Sequence, residues 1–171
     1  MGYEKMVRLS GIAYESLVNG PGLRRVIFAQ GCKHKCKGCF NEDTHSLEGG
    51  EFMNMDDIIE DIKDNPFLKG VTFSGGDPWE QADKFSYMAP NIKALGLNIW
   101  CYTGYTFEYI LENKDKRAGW NELLSNIDVL VDGKFEEDKY SANLRYRGSE
   151  NQRIINIQDS LQSGKIVLIN F

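Results

Sequence analysis

Three of the four cysteines in this 171-residue chain stand at positions 32, 36 and 39, in the stretch GCKHKCKGCFN. Thiolates spaced C-x-x-x-C-x-x-C on one loop can wrap one metal centre, and Gly31 and Gly38 relieve the backbone there. A structural zinc site closes with four ligands, and an iron–sulfur cube ordinarily takes four thiolates. His34 could complete a Cys3His set, but it lies inside the first spacer, where the chain must bend round the metal. Cys101 could serve if its strand end comes close, yet a cysteine in a run such as NIWCYT more often packs as a small buried hydrophobe. Three thiolates alone leave one iron of a cube open to an exogenous ligand, as catalytic metal sites keep one position open. The expectation is an open cluster on Cys32, Cys36 and Cys39, with structural zinc as the alternative.

Such a loop must be carried by a scaffold. Short apolar, β-branched runs at 24–30, 71–74, 97–102, 127–131, 153–158 and 165–170 read as strands. Helical patterns fall between them at 55–64, 78–95 and about 105–125, the last broken near Lys114–Arg117, with a short helix near 159–162. Strands alternating with helices imply parallel βαβ units. The expected fold is α/β, a single domain over 1–171 forming a partial (β/α) barrel of about six mostly parallel strands. A full eight-fold barrel takes roughly 250 residues. In such sheets chemistry gathers at the carboxyl edge. GCKHKCKGC follows the first strand, SGGDP ends the second, YTGY the third and DGKF the fourth, so four loops converge on one expected site.

Composition excludes several classes. A hydrophobic fraction of 42% suffices for a real core, and the net charge of -5 argues against nucleic acid, which needs a positive footprint. No apolar run approaches the roughly 20 residues of a membrane span. The N-terminal MGYEKMVRLS lacks a signal-peptide pattern, and Met6 stands where a myristoylation motif wants Ser or Thr. A cytoplasmic location is expected, where clustered cysteines point to metal or redox chemistry. Lys33, Lys35 and Lys37 interleave the cysteines as a candidate docking rim for an acidic, flavodoxin-like or other low-potential electron donor.

The remaining motifs have structural readings of their own. In SGGDPWEQ, Asp77 reads as an N-cap, Pro78 as the first helical residue and Glu80 as the capping-box partner. Gly75 and Gly76 also allow a ligand close to the backbone. Thr103 reads as the cap of the YTGY turn, and NGPGLR as a turn entering the first strand. Asp132 sits in an ordinary DG turn. YRGSENQR sets Arg147 and Arg153 beside amides, a surface suited to backbone carbonyls or a carboxylate. No role is assigned to His34 or His45.

The cysteine loop followed by Gly-Gly-Asp after the second strand resembles the radical S-adenosylmethionine superfamily. That resemblance implies a [4Fe-4S] cluster on the three cysteines and S-adenosyl-L-methionine chelated at the fourth iron. It places Gly75, Gly76 and Asp77 at the methionine end and Thr103 at the ribose. The usual loop has an aromatic just before the last cysteine, near the adenine; here that residue is Gly38, with Phe40 just after. The ordered set NGPGLR, GCKHKCKGCFNEDT, SGGDP, YTGYTFE, VDGKF and YRGSENQR is similar to the family of anaerobic ribonucleoside-triphosphate reductase activating proteins. It implies a glycyl-radical activase whose protein substrate is the large reductase, with Arg147 and Arg153 at the partner. Activation of another glycyl-radical enzyme, of the pyruvate formate-lyase type, or a radical S-adenosylmethionine enzyme acting on a small molecule stands as the alternative. From a different class comes a small iron–sulfur or zinc module without its own reaction.

Overall fold

The computed structural model describes residues 2–39 and 42–171. Seven strands form one open sheet: β1 (Met6–Ser16), β2 (Arg24–Ala29), β3 (Glu51–Asn54), β4 (Gly70–Gly75), β5 (Asn98–Tyr102), β6 (Val129–Asp132) and β7 (Arg153–Asn156), in the order β3-β1-β2-β4-β5-β6-β7. The central strands β2, β4, β5 and β6 run parallel. β3, β1 and β2 are joined antiparallel, and so are β6 and β7. The expected six, mostly parallel strands are therefore seven, with a parallel centre and antiparallel flanks. β3 and β7 lie at opposite edges, so the sheet does not close.

Among the described residues five α-helices pack on it: α1 (Met55–Lys63), α2 (Ala82–Lys93), α3 (Phe107–Asn113), α4 (Trp120–Asn126) and α5 (Ile157–Ser163). Asn54 starts α1 by accepting from the amides of Asp56 and Asp57, as an N-cap should. Phe85, Met88, Ala89 and Ile92 repeat along α2 at helical spacing and are all buried, giving it one apolar face. The 3-10 turn Pro78–Gln81 precedes α2, capped by Asp77 as expected. The break between α3 and α4 falls close to the expected place.

The two faces of the sheet do different work. Ile27, Phe73, Ile99, Cys101, Leu130 and Ile155 share one core with side chains from all five helices. Their strand neighbours Trp100, Val129, Val131 and Ile154 form a second, smaller core with Tyr102, Tyr146 and Ile169. Period-two alternation along each strand separates the two sets. The run at 165–170 is not a strand. Gly164 ends α5 in the left-handed region, and the returning chain touches β7 through one isolated bridge, Ile155 to Leu168.

Candidate metal centre

A cavity of about 570 Å³ opens at the carboxyl edge of the parallel strands, bordered by Cys32, Cys36 and Cys39. Gly75 at the end of β4 and Gly76 beyond it, Thr103 and Gly104 after β5, and Gly133 and Phe135 after β6 also border it. The four loops expected at one edge thus meet at one place. None of the three cysteines is in a disulfide, and all are half-buried. Burial pushes the Cys32 thiol up to about 11, with Asp77 and the other two cysteines adding to the effect of burial. Burial also raises Cys36. A metal would displace those protons on binding.

The base of the cysteine loop is held by main-chain bonds. Gly31 N donates to Thr44 O at 2.6 Å, Cys32 N to His45 O at 3.1 Å and Asp77 N to Gly31 O at 2.8 Å. A Cβ on Gly76 would lie 2.4 Å from the Gly31 carbonyl oxygen. Its missing side chain is thus required by the cysteine loop behind it, whatever binds in front.

Asp77 does not border the cavity. It is fully buried and takes four donors: Trp79 N at 3.0 Å, Thr103 Oγ1 at 2.9 Å, Gly104 N at 3.0 Å and His34 Nε2 at 2.7 Å. Thr103 borders the cavity, but its hydroxyl is committed, donating to Asp77 and accepting from Tyr105 N at 3.1 Å. The capping role read for Asp77 is present; Thr103 braces its own turn through Tyr105 N, while the helix that follows is capped by Thr106.

Whether the donors fit an iron–sulfur cube can be judged from these side chains. Among the described residues no three His, Cys, Asp or Glu side chains converge on a single-ion site, which needs donors within roughly 2.3 Å of one point. A four-iron cube has iron at four alternate corners, and three thiolates bordering one cavity can each hold one of them. Cys101 is fully buried in the helix-side core, and His34 Nε2 is engaged by Asp77. The donor set fits a cube held from three corners.

Comparison with known proteins agrees. The family described as a 4Fe-4S single cluster domain matches residues 18–155. An anaerobic ribonucleoside-triphosphate reductase-activating protein of Vibrio cholerae is 40% identical over 81% of this chain and 90% of its own. The protein of that name from Enterobacteria phage T4 is 36% identical, covering 80% of this chain and 86% of its own. That from Escherichia coli K12 is 35% identical, over 80% and 90%. The chain belongs to the anaerobic ribonucleoside-triphosphate reductase-activating protein family. Among solved structures, QueE from Escherichia coli aligns with a TM-score of 0.48 and 16% identity, covering 61% of this chain and 56% of that one.

On this activating-protein chain the other expected site residues fall in different places. Gly38 lies in the cysteine loop at positive φ, its Cα facing the Glu137 side chain. Phe40 lies outside the described residues. Arg147 borders the cavity and donates to the carbonyls of Glu150 and Gln152. Arg153 does not border it; its guanidinium is held by Asp132 and Glu108. Lys33 pairs with Glu80 at 3.4 Å and Lys37 with Glu137 at 3.9 Å. Sequence reasoning missed two features: the contact of His34, weighed there only as a metal ligand, with Asp77, and a wall formed by Tyr140, Leu144 and Tyr146. Neither has a local signal, since the wall has no periodicity and the partner of His34 is 43 positions away.

Proposed function

We propose that this chain cleaves S-adenosyl-L-methionine reductively at a [4Fe-4S] cluster held by Cys32, Cys36 and Cys39. The product is a glycyl radical on a large anaerobic ribonucleoside-triphosphate reductase. The observation that carries the reading is the meeting of three cysteines, none in a disulfide, with the loops after β4, β5 and β6 at one cavity. The family description supports the cluster, and the relatives' names support the target. When bound, the cluster would supply one electron that splits the sulfonium to methionine and a 5′-deoxyadenosyl radical, which takes one hydrogen atom from a glycine.

The chain's own residues would bind and shield. Gly75 and Gly76 present backbone to the methionine end, backed by Asp77, and Thr103 stands at the ribose. Gly38 and Phe40 are the candidates at the adenine. Arg147, on the cavity wall, grips the incoming backbone of the partner, while Arg153 acts through the carboxylates it holds. The placement of the five α-helices against one face, with the cavity at the strand ends, supports a partial barrel of radical S-adenosylmethionine type. A low-potential donor of flavodoxin type, docking at the lysine-bearing loop, and a cytoplasmic location complete the reading; no described helix is long and apolar enough to cross a membrane.

The test is to replace Cys32, Cys36 and Cys39 singly with alanine and reconstitute anaerobically. Each variant should lose stable iron and 5′-deoxyadenosine formation, because two thiolates do not hold a cube. A Cys101→Ala variant should keep both. Retained iron and deoxyadenosine in any of the first three would overturn the proposal.

A further inference from the structure

His34 has no role in the reading above, yet three observations single it out. It stands in the middle of the C-x-x-x-C spacer between exposed lysines, but its own side chain is only 7% exposed. Its Nε2 lies 2.7 Å from Oδ2 of the fully buried Asp77. Its ring also packs edge-on to Tyr105, centroids 4.5 Å apart, and lies against Gly104. A Cβ on Gly104 would come within 2.4 Å of His34 Cδ2, although that glycine's φ is not in the left-handed region. What the missing side chain provides is a seat for the imidazole.

The acceptor count explains why the seat is specific. A carboxylate offers about four acceptor sites, and four donors reach Asp77, from its own turn, from Thr103, from Gly104 and from His34. Because a carboxylate in this crowd can only accept, Nε2 carries the proton of that contact. One buried side chain thereby ties the cysteine loop to the ends of β4 and β5. Those same ends carry Gly76, Thr103 and Gly104 onto the cavity wall. Of the lysines on either side, Lys35 is exposed, and Lys33 reaches Glu80 at 3.4 Å only from a side chain that is 60% exposed.

We propose that His34 is a positioning residue. Its imidazole, clamped between Asp77 and Gly104, fixes where Cys32 and Cys36 stand relative to the loops that complete the cavity. The consequence for cluster binding rests on the proposed function; the clamp itself does not, and it can be read in protein without metal.

The experiment compares wild type with His34→Ala, His34→Gln and Gly104→Ala. In metal-free protein, alkylation of each cysteine by iodoacetamide is followed by mass spectrometry, with thermal unfolding as the check on folding. Cys32 and Cys36 should react several-fold faster in His34→Ala, and the buried Cys101 should stay slow. After reconstitution, a chelator should strip iron from His34→Ala at least about tenfold faster, the weight of one hydrogen bond to a charged group. His34→Gln, whose amide can still donate to Asp77, should recover most of both losses. Gly104→Ala, which removes no donor but fills the seat, should resemble His34→Ala. Unchanged alkylation and stripping in His34→Ala, or no rescue by glutamine, would overturn the clamp. A wild type that takes up no iron, while alkylation responds as described, would overturn the cluster reading and leave the clamp standing.

Discussion

Asp77 shows how much one side chain can carry when it is buried. As an N-cap alone it would be worth about 1 kcal/mol. It also receives Thr103, Gly104 and His34, and its removal would orphan one buried and two part-buried donors besides the cap. Each such group costs roughly 1–3 kcal/mol when left unpaired. Asp77→Ala should therefore lower stability in urea unfolding by about 3 kcal/mol or more, and a loss near that of a simple cap would mean the buried contacts contribute nothing. Gly76 makes the complementary case. With a Cβ destined to lie 2.4 Å from the Gly31 carbonyl, Gly76→Ala should displace the base of the cysteine loop and cut iron uptake. Normal iron content with weakened cofactor binding would instead place the crowding on the ligand side.

At the scale of elements, charge and caps hold the loops that line the cavity. Arg153 at the start of β7 joins Asp132 at the end of β6 to Glu108 in the first turn of α3. The hydrogen bond from Arg153 holds the Glu108 carboxyl below its ordinary value. A carboxylate depressed in the folded state stabilises above its unfolded value, about 4.3, and loses that contribution as pH falls through the folded value. Arg153→Gln should flatten the acid limb of stability against pH, measured as the urea midpoint; an unchanged limb would remove the pair from the account. Asn54, remote from the cavity, provides a contrast. Asn54→Ala should cost about 1 kcal/mol through the lost cap on α1 and leave iron content alone. Loss of iron in that variant would show that α1 is coupled to the site.

The same scale explains what could be read from the sequence. The parallel strands were legible because strands buried on both faces read as near-continuous apolar runs, as RRVIFA in β2 does. β1 was not, since only Val7 and Leu9 alternate cleanly into the core before its outer half turns exposed. β3 is four residues long, two of them exposed. Residues 165–170 looked like a strand by composition, but Gly164 sends the chain back along β7 for only one bridge. The cysteine loop was legible because its chemistry is packed into eight positions. The clamp beneath it was not, because burial decides it and burial depends on chain segments far apart in sequence.

At the scale of the molecule, the sheet is open and the cavity stands at its carboxyl edge, walled on one side by Tyr140, Leu144 and Tyr146. A carbon radical needs shielding from water, and a protein partner can bring the missing wall itself. Arg147→Ala should then impair radical formation on the partner while leaving iron content and deoxyadenosine formation in place; equal loss of all three would assign Arg147 to the cavity alone. The most direct measurement is electron paramagnetic resonance on an anaerobic mixture of this chain, the large reductase, S-adenosyl-L-methionine and a reductant. The account predicts a protein radical on the reductase, absent when its radical-bearing glycine is replaced by alanine. A comparable radical yield from the alanine reductase, or none from the native one while deoxyadenosine accumulates, would contradict it.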